Sequence, residues 1–301
     1  MKRTTQFRRL MQASEILVLP GVHDALGARI AERAGFKAVT CGGYGATASL
    51  LGAPDTSQLS VTEMADNYAR LCEATSLPLF ADADTGYGNV TNVRRAVRAY
   101  ERAGVAGLFI EDQVFPKRCG HMAGKDVIGT EEMLGKLKSA LDARQDSDLV
   151  ICARTDALAV HGLDEAIRRG QLYREAGVDM VFVEAPPDLA AMRRICREIG
   201  GPQLANMIEG GKSPFLTASE LQEIGFAAVA FPVGATYAVA QALTDYLGTL
   251  ARDGTTRSIA AKLPDFDTFN ALVGLADLRK REGEYQDFAK RLIAKPRKKA
   301  G

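Results

Sequence analysis

Residues 149–186, LVICARTDALAVHGLDEAIRRGQLYREAGVDMVFVEAP, decide the fold. The stretch begins and ends with short apolar runs, LVICARTDA at 149–157 and MVFVEAP at 180–186. Such runs, rich in Val, Ile, Leu and Phe, are typical of buried parallel strands, and the longer amphipathic segment between them is typical of the connecting helix. The stretch therefore predicts one β–α–β unit of a parallel sheet.

Runs of the same kind recur along the chain, and their number indicates how the sheet is completed. They are ILVLPG (16–21), AVTCGG (38–43), LPLFADAD (77–84), GLFIED (107–112), LVICARTDA (149–157), MVFVEAP (180–186), QLANM (203–207) and AAVAFP (227–232). Eight parallel strands with helices between them close a (β/α)8 barrel of the TIM type. We therefore expect an α/β protein with a barrel over residues 1–250.

The intervening segments carry helix signals. Three of them, LGARIAERAGFKAV, RRAVRAYERAGVAG and AIRRGQLYREAGVDM, contain Ala-Gly before the next apolar run, and a glycine just past a helix end adopts the left-handed conformation at low cost. Two others, LSVTEMADNYARLCEATS and IGTEEMLGKLKSALDAR, have Thr followed closely by Glu, which predicts N-terminal caps. Residues 251–301 lack further strand-like runs and contain one long helical pattern, FNALVGLADLRKREGEYQDFAKRLIA, so we expect a C-terminal helical extension there.

Composition excludes several classes of protein. With 301 residues, 47% of them hydrophobic, the chain can bury a sizeable core. Its net charge of +1, from 38 basic and 37 acidic residues, argues against nucleic acid as a partner. Its 5 cysteines form no CxxC pair, which argues against a disulfide framework or a zinc ribbon and favours a reducing compartment. We find no signal-like or membrane-spanning apolar run and expect a cytoplasmic protein without a membrane partner.

Polar side chains follow the predicted strands at their carboxyl ends, where TIM-type barrels have their active sites. Those residues are His23, Asp24, Cys41, Asp82, Asp84, Glu111, Asp112, Arg154, Asp156, Glu184, Asn206 and Glu209. Carboxylates that converge in a core repel one another unless a cation lies among them, and oxygen ligands without a histidine cluster favour Mg²⁺, with Mn²⁺ as the alternative. Asp82 and Asp84 can both face the barrel mouth only if the strand end twists or bulges. As an alternative, some of these acids cap helices or pair with Arg154.

The segment PKRCGHMAGKD, residues 116–126, differs from the other loops that follow strands. Its glycines at 120 and 124 give the mobility of a lid. Lys117 and Arg118 adjoin Cys119, and neighbouring cations lower the pKa of a thiol, so that Cys119 is a candidate proton donor or nucleophile. His121 is the histidine that we expect to be functional.

Five strings in this order resemble the isocitrate lyase and phosphoenolpyruvate (PEP) mutase superfamily over roughly residues 5–250. They are CGGYGATASLLGAPD (41–55), ADADTGYGN (81–89), EDQVFPKRCGH (111–121), ARTDA (153–157) and LANMIEGGKSP (204–214). The KRCGH loop is similar to that of the branch with 2-methylisocitrate lyase, 2,3-dimethylmalate lyase and carboxyphosphonoenolpyruvate mutase.

The resemblance implies a role for each matching position. The metal would be held by Asp84, with Asp82 and Glu111 largely through water. The substrate would be bound by Cys41, Gly42 and Gly43 through backbone donors, by Gly120 and Arg154, and by Glu184 and Asn206 at its other end. Cys119 would be the catalytic acid, assisted by Lys117 and His121. Family members are homotetramers with swapped C-terminal helices, which would account for the segment after residue 250.

The activity implied is Mg²⁺-dependent cleavage of a carbon–carbon bond in a 2-hydroxydicarboxylate, of the alkylmalate or methylisocitrate type, by retro-Claisen chemistry. The products would be a 2-oxo acid such as pyruvate and a second carboxylate. Where methylisocitrate lyases have polar partners for a third carboxylate, this chain has Ile208 and Tyr237, so we favour a smaller, more apolar alkylmalate. The alternatives are phosphonomutase-type chemistry at a P–C bond and cleavage of oxaloacetate.

Overall fold

The computed structural model describes residues 1–118, 120 and 124–294. The chain divides into two compact units, residues 1–241 and 242–301. The described residues of the first unit form eight strands, one within each run that the sequence singled out. They are β1 (Leu17–Pro20), β2 (Val39–Cys41), β3 (Leu79–Asp82), β4 (Gly107–Glu111), β5 (Val150–Thr155), β6 (Met180–Val183), β7 (Leu204–Asn206) and β8 (Ala228–Phe231).

All strand pairs are parallel, and the strands follow one another in a cyclic order. One sheet has the order β2-β3-β4-β5-β6 and the other the order β7-β8-β1. Isolated parallel bridges, Gly21↔Thr40 and Val181↔Gln203, connect the two sheets at both edges. This arrangement agrees with the predicted TIM-type barrel, and it brings the carboxyl ends of all eight strands to one end of the unit.

Helices connect the strands in the predicted alternation. They are α1 (Arg3–Met11), α2 (Ala25–Arg33), α3 (Gly43–Leu51), α4 (Val61–Ala74), α5 (Val90–Ala103), α6 (Thr130–Ala143), α7 (Ala157–His161), α8 (Leu163–Glu175), α9 (Leu189–Ile199), α10 (Ala218–Ile224), α11 (Gly234–Asp253), α12 (Phe266–Leu272) and α13 (Leu275–Ala294). Gly35, Gly104 and Gly177, which follow α2, α5 and α8, have φ of 87°, 90° and 97°. The predicted left-handed glycines at helix ends are therefore confirmed.

Two local expectations are wrong. The cap of α4 is Ser60, which forms a capping box with Glu63, whereas Gly129 precedes α6 and supplies no side-chain cap. The Thr-Glu pairs marked the right regions, but neither threonine is the cap. The long C-terminal helical pattern is two helices, because Gly274 between α12 and α13 has φ of 86°.

An apolar core fills the barrel interior below the strand ends. Phe7 of α1 stacks on Phe80 of β3 with ring centroids 5.4 Å apart, and the contact series continues to Phe109 and Phe182. Because these rings fill the interior, polar chemistry is confined to the carboxyl end of the barrel. Of the helices in the described part of the chain, none is long and apolar enough to cross a membrane.

Candidate active site

A cavity lies at the carboxyl ends of the strands and brings together eight of the predicted residues. These are Gly42, Gly43, Asp82, Lys117, Gly120, Arg154, Glu184 and Asn206. Its remaining polar lining includes Asp55 and Tyr44, and its apolar lining includes Phe182, Leu204, Ile208 and Val233. The cavity therefore has charged groups and an apolar wall, as a site for a small organic anion requires.

Lys117 lies within a group of carboxylates. Its Nζ is 2.8 Å from Oδ2 of Asp55 and 3.0 Å from Oδ1 of Asp84, and only 3% of its side chain is exposed. Burial lowers the pKa of Lys117, but the charges of Asp84, Asp82, Glu111 and Asp55 outweigh burial and hold it well above its ordinary value. Lys117 is therefore a fixed cation, and its ammonium balances charge among the acids.

The end of β3 has the twist that its two aspartates require. Asp84 has φ of 47°, in the left-handed region that non-glycine residues rarely adopt. The carboxylate of Asp82 accepts hydrogen bonds from the backbone N–H groups of Gly43 at 2.9 Å and Asp84 at 2.8 Å. Burial raises the pKa of Asp84 to about 6, because the Lys117 charge offsets burial only in part. The sharp turn thus places both acids on the same side of the strand end.

Glu111, at the end of β4, is fully buried. Within the described residues, neither of its carboxylate oxygens accepts a hydrogen bond. Nε of Arg154 lies 3.2 Å from Oε2. Burial raises the pKa of Glu111 well above its ordinary value, although the Arg154 and Lys117 charges oppose this shift. A buried carboxylate without donors is a group that a hydrated cation would satisfy.

The acids fit a hydrated Mg²⁺ better than an ion bound directly by all of them. In the part of the chain that the structure describes, no three His, Cys, Asp or Glu side chains are grouped closely enough to ligate one ion. Mg²⁺ usually keeps several waters and takes one or two carboxylates. Asp84 as direct ligand, with Asp82 and Glu111 through water, therefore agrees with the donor set and with the unsatisfied oxygens of Glu111.

Arg154 dominates the opposite side of the cavity. Its Nη2 is 3.0 Å from Glu184, and its Nε is 2.9 Å from Asp156. The guanidinium also lies 5.0 Å from the ring centroid of Phe182, in a cation–π contact. Asn206 donates to both carboxylate oxygens of Glu184 at 3.3 Å. A planar cation held in this way is suited to bind a carboxylate with two hydrogen bonds.

Two further residues connect the 116–126 loop to Arg154. A Cβ at Gly120 would lie 2.4 Å from Nη2 of Arg154 and 2.6 Å from Cγ of Glu184, so the loop backbone lies against these side chains. Nζ of Lys125 hydrogen-bonds the Gly120 carbonyl and lies 2.7 Å from Oδ1 of Asp156. Residues 119 and 121–123 lie outside the described residues, so the predictions for Cys119 and His121 stay predictions.

Two other candidates from the sequence, Cys41 and Asp24, are not among the residues that line this cavity, and the predicted substrate contact of the Cys41 backbone stays a prediction. The Cys41 thiol is buried and accepts from Nδ2 of Asn67 at 3.8 Å, and burial raises its pKa far above the usual range. Asp24 caps α2 by accepting from Gly27 N–H at 2.6 Å, which confirms the capping alternative for this acid. Sequence reasoning missed Asp55 and Lys125, although both stand within strings that it quoted or marked as loop.

Comparisons with known proteins agree with this geometry. A family model described as phosphoenolpyruvate phosphomutase matches residues 7–251. The chain is 44% identical over 285 residues to 2,3-dimethylmalate lyase of Eubacterium barkeri, covering 95% of this chain and 99% of that protein. It is 45% identical over 287 residues to the chloroplastic carboxyvinyl-carboxyphosphonate phosphorylmutase of Arabidopsis thaliana, covering 94% and 85%.

Solved structures give the same result. The crystal structure of 2,3-dimethylmalate lyase, a PEP mutase/isocitrate lyase superfamily member, matches with a TM-score of 0.90 at 36% identity and covers 95% of this chain and 96% of that one. Phosphonopyruvate hydrolase in complex with oxalate and Mg²⁺ matches with a TM-score of 0.86 at 30% identity and covers 95% and 100%. The predicted resemblance and the TIM-type fold are therefore confirmed. This chain belongs to the phosphoenolpyruvate phosphomutase family, within the isocitrate lyase/PEP mutase superfamily.

Proposed function

We propose that this protein is an Mg²⁺-dependent carbon–carbon lyase that cleaves a 2-hydroxydicarboxylate of the alkylmalate or methylisocitrate type. One observation carries the proposal: the Arg154 guanidinium lines the same cavity as Lys117 and two of the carboxylates near it, Asp55 and Asp82. A substrate with a carboxylate at one end and a 2-hydroxyl near the other could engage both. The relatives named as lyases support this reaction class.

Substrate binding would depend on residues with fixed geometry. Arg154 would pair with a substrate carboxylate, and the Asn206 amide and Glu184 would contact the far end. Gly42 and Gly43 would approach the substrate through their backbone, because they carry no side chain. Ile208 lines the same cavity, so an alkyl substituent would find an apolar wall there. A third carboxylate at this wall would be buried without a partner, which costs several kcal/mol.

The bond cleavage requires control of one negative charge and two protons. The 2-hydroxyl would give its proton to a water molecule of the cavity, its oxygen electrons would form the new carbonyl, and the C2–C3 electron pair would move to C3 as the enolate of the departing carboxylate. Asp84, with Asp82 and Glu111 through water, would hold Mg²⁺, which supplies Lewis-acid stabilisation of developing negative charge. Cys119 would donate the proton to C3, with Lys117 and His121 assisting. The loop over Gly120 would exclude water that competes for the carbanion.

A coupled lactate dehydrogenase assay tests the proposal. Purified protein with Mg²⁺ should release pyruvate from at least one alkylmalate, and chelation of the metal should abolish the release. Cys119→Ser should lose activity and keep its affinity for oxalate. If no malate derivative and no methylisocitrate yields a 2-oxo acid in the presence of Mg²⁺, the lyase proposal is contradicted.

A second candidate reaction is phosphonomutase-type chemistry at a P–C bond, favoured by the 45% identity to carboxyvinyl-carboxyphosphonate phosphorylmutase. Phosphorus NMR after incubation with phosphonopyruvate distinguishes it, because a new phosphorus signal should then appear without pyruvate release from malates. Cleavage of oxaloacetate is tested in the same preparation by the loss of oxaloacetate absorbance.

The organisation of the chain is part of the proposal. We propose that residues 1–250 form the catalytic barrel, and that residues 251–301 form a helical extension exchanged between the subunits of a homotetramer. Light scattering on the full chain should give four times the 32.3 kDa chain mass. A chain truncated after residue 250 should give a smaller assembly, and an unchanged tetramer would contradict the exchange.

A further inference from the structure

Tyr68 connects helix α4 to the ends of two strands. Its side chain is completely buried. Its hydroxyl lies 2.7 Å from the carbonyl oxygen of Asp82 and 3.3 Å from that of Cys41, and it accepts a hydrogen bond from the Asp82 N–H at 3.1 Å. One phenol thus contacts both backbone polar groups of Asp82 and the end of β2.

These contacts occur where the sheet stops supplying partners. The β2–β3 pairing ends at Cys41↔Ala81, because the chain turns after Cys41 into α3, which begins at Gly43. Asp82 still pairs with Phe109 on the β4 side. On the β2 side, the Tyr68 hydroxyl takes the place that a next strand residue would have, so the backbone of Asp82 is not left with buried, unpaired groups.

The position of Asp82 determines that of Asp84. The Asp82 carboxylate accepts from the Asp84 N–H at 2.8 Å, and Asp84 has the unusual φ of 47°. A left-handed aspartate costs free energy and persists only where its surroundings hold it. The Tyr68 hydroxyl thus fixes the backbone of Asp82, and the Asp82 carboxylate fixes the turn at Asp84.

We propose that Tyr68 is a positioning residue for the cation site, acting through the backbone of Asp82 on the carboxylates of Asp82 and Asp84. This inference rests on the Mg²⁺ part of the proposed function. This role of the hydroxyl can be separated from packing of the ring. The Tyr68 ring contacts Tyr100 edge-on, with ring centroids 4.9 Å apart, and a phenylalanine would keep that contact while it loses the hydroxyl.

The test is Tyr68→Phe in the full chain, with Mn²⁺ as the probe and electron paramagnetic resonance of free Mn²⁺ as the readout, without substrate. Removing a group that orients metal ligands typically weakens metal affinity about 10–100-fold, and we expect a loss in that range. Tyr100→Phe is the matched control: its hydroxyl lies 2.6 Å from that of Tyr87, in the same cluster, so its loss should change the Mn²⁺ affinity less than about 2-fold.

A second readout separates positioning from catalysis. If Tyr68 acts on cation binding, the kcat of Tyr68→Phe should return to the wild-type value at saturating Mg²⁺, while the Mg²⁺ concentration for half-maximal activity rises. Asp84→Asn, which removes a ligand, should not be restored in this way.

The outcomes are distinguishable. Wild-type protein that binds no Mn²⁺ contradicts the proposed function itself. Wild-type binding with unchanged affinity in Tyr68→Phe overturns only the role of Tyr68, as does an equal loss in Tyr100→Phe. If Tyr68→Phe does not fold, hydrogen exchange of the wild-type protein decides: the Asp82 amide should exchange as slowly as the Ala81 amide, and rapid exchange overturns the proposal.

Discussion

Glu111 and Asp112 are adjacent in the chain, and both are fully buried at the end of β4. Asp112 accepts four hydrogen bonds, from the Thr155 hydroxyl at 2.7 Å, the Asp156 N–H at 2.9 Å, Arg169 at 3.0 Å and the Tyr173 hydroxyl at 2.9 Å. Glu111 accepts none from the described residues and has only charges nearby to oppose its burial.

The difference separates a carboxylate that holds the scaffold together from a carboxylate that we propose for the cation site. Burial raises the pKa of both groups, but hydrogen bonds oppose the shift at Asp112, whereas the charges of Arg154 and Lys117 oppose it at Glu111. Asp112 fixes the end of β5, from which Arg154 and Asp156 project. The carboxylate oxygens of Glu111 accept no hydrogen bond from the described residues. A buried carboxylate without hydrogen bonds lowers the stability of the fold, but its oxygens can still bind a ligand.

The largest expected effect is on stability, from Asp112→Asn. The substitution removes the charge that pairs with the buried Arg169, and breaking a buried pair on one side costs about 3 kcal/mol of unfolding free energy. Chemical denaturation at fixed protein concentration measures it. Asp142→Asn, which breaks the exposed pair with Lys138, is the control and should cost less than about 0.5 kcal/mol. Equal losses would remove the distinction between the two carboxylates.

The next largest effect is on activity, from Glu111→Gln. The amide keeps the shape of the side chain and removes a charge that burial disfavours, and Arg154 keeps its pairs with Asp156 and Glu184, so the unfolding free energy should stay constant or rise by up to about 1 kcal/mol. Activity should fall about 10–100-fold, because an acid of the proposed cation site is lost. Steady-state kinetics and denaturation of the same preparation give both values. A stability loss like that of Asp112→Asn would show that Glu111 is also a scaffold residue.

A smaller effect is expected where the loop contacts Arg154. Gly120→Ala places a methyl group 2.4 Å from the Arg154 guanidinium, so this side chain and Glu184 must move. We expect kcat/KM to fall about 10-fold with little change in stability, since small displacements of binding groups are costly in rate. Gly129→Ala is the control, because its Cβ would meet nothing within 4 Å. Equal activity in the two variants contradicts the close approach.

The smallest effect is on the pH dependence of stability. It concerns Glu165, which connects the hydrogen-bonded group around Asp112 to the surface. Hydrogen bonds from Arg168, and also from Arg169, lower the pKa of Glu165 from 4.5 to about 2. Because the folded pKa lies below the unfolded one, the ionised group stabilises the protein above pH 4.5, and this contribution is lost as the pH falls from 4.5 to about 2. With 25% of its side chain exposed, Glu165 should contribute about 1 kcal/mol or less.

A double-mutant cycle checks this link. Glu165→Gln should remove the pH-dependent contribution, and its effect at pH 7 should be non-additive with Asp112→Asn, because both carboxylates contact Arg169. Glu198, whose pKa is also lowered to about 2, pairs with Arg194 instead. The effect of Glu198→Gln on the unfolding free energy should therefore add to that of Asp112→Asn. If the effects of Glu165→Gln and Asp112→Asn are additive as well, Glu165 is not coupled to Asp112.

The fold could be predicted because its signals are local. Each buried strand is an apolar run of the sequence, and glycines mark the helix ends at 35, 104 and 177. Boundaries were less accurate: AVTCGG was predicted as strand through residue 43, but Gly43 begins α3. The break at Gly274 was missed because a glycine within an amphipathic pattern does not by itself end a helix.

The site could be predicted only in part, because pairing across the barrel is not local. The carboxyl ends of all strands lie at one end of a barrel. This alone predicts that the residues there lie near one another: Asp82, Glu111, Arg154 and Glu184. That Lys117 turns to Asp55, 62 positions earlier, depends on two loops whose shapes no pattern encodes. The hydrogen bonds of Asp112 could not be predicted either. In the sequence, Glu111 and Asp112 are two adjacent acids, and nothing in the string Glu-Asp shows that, among the described residues, the first has no donors and the second has four.

The division of the strands into two sheets has a consequence for synthesis of the chain. The sheet β2 to β6 carries Asp82, Glu111 and Arg154 and needs no residue beyond Val183, whereas β1 pairs with β8, as in Leu17↔Ala228. The contact between β1 and β8 closes a loop of roughly 200 residues, and pairing so distant in sequence forms late. We expect Asp82, Glu111 and Arg154 to be placed while the chain is still on the ribosome, in contact with water. They should lose this water only when β8 pairs with β1.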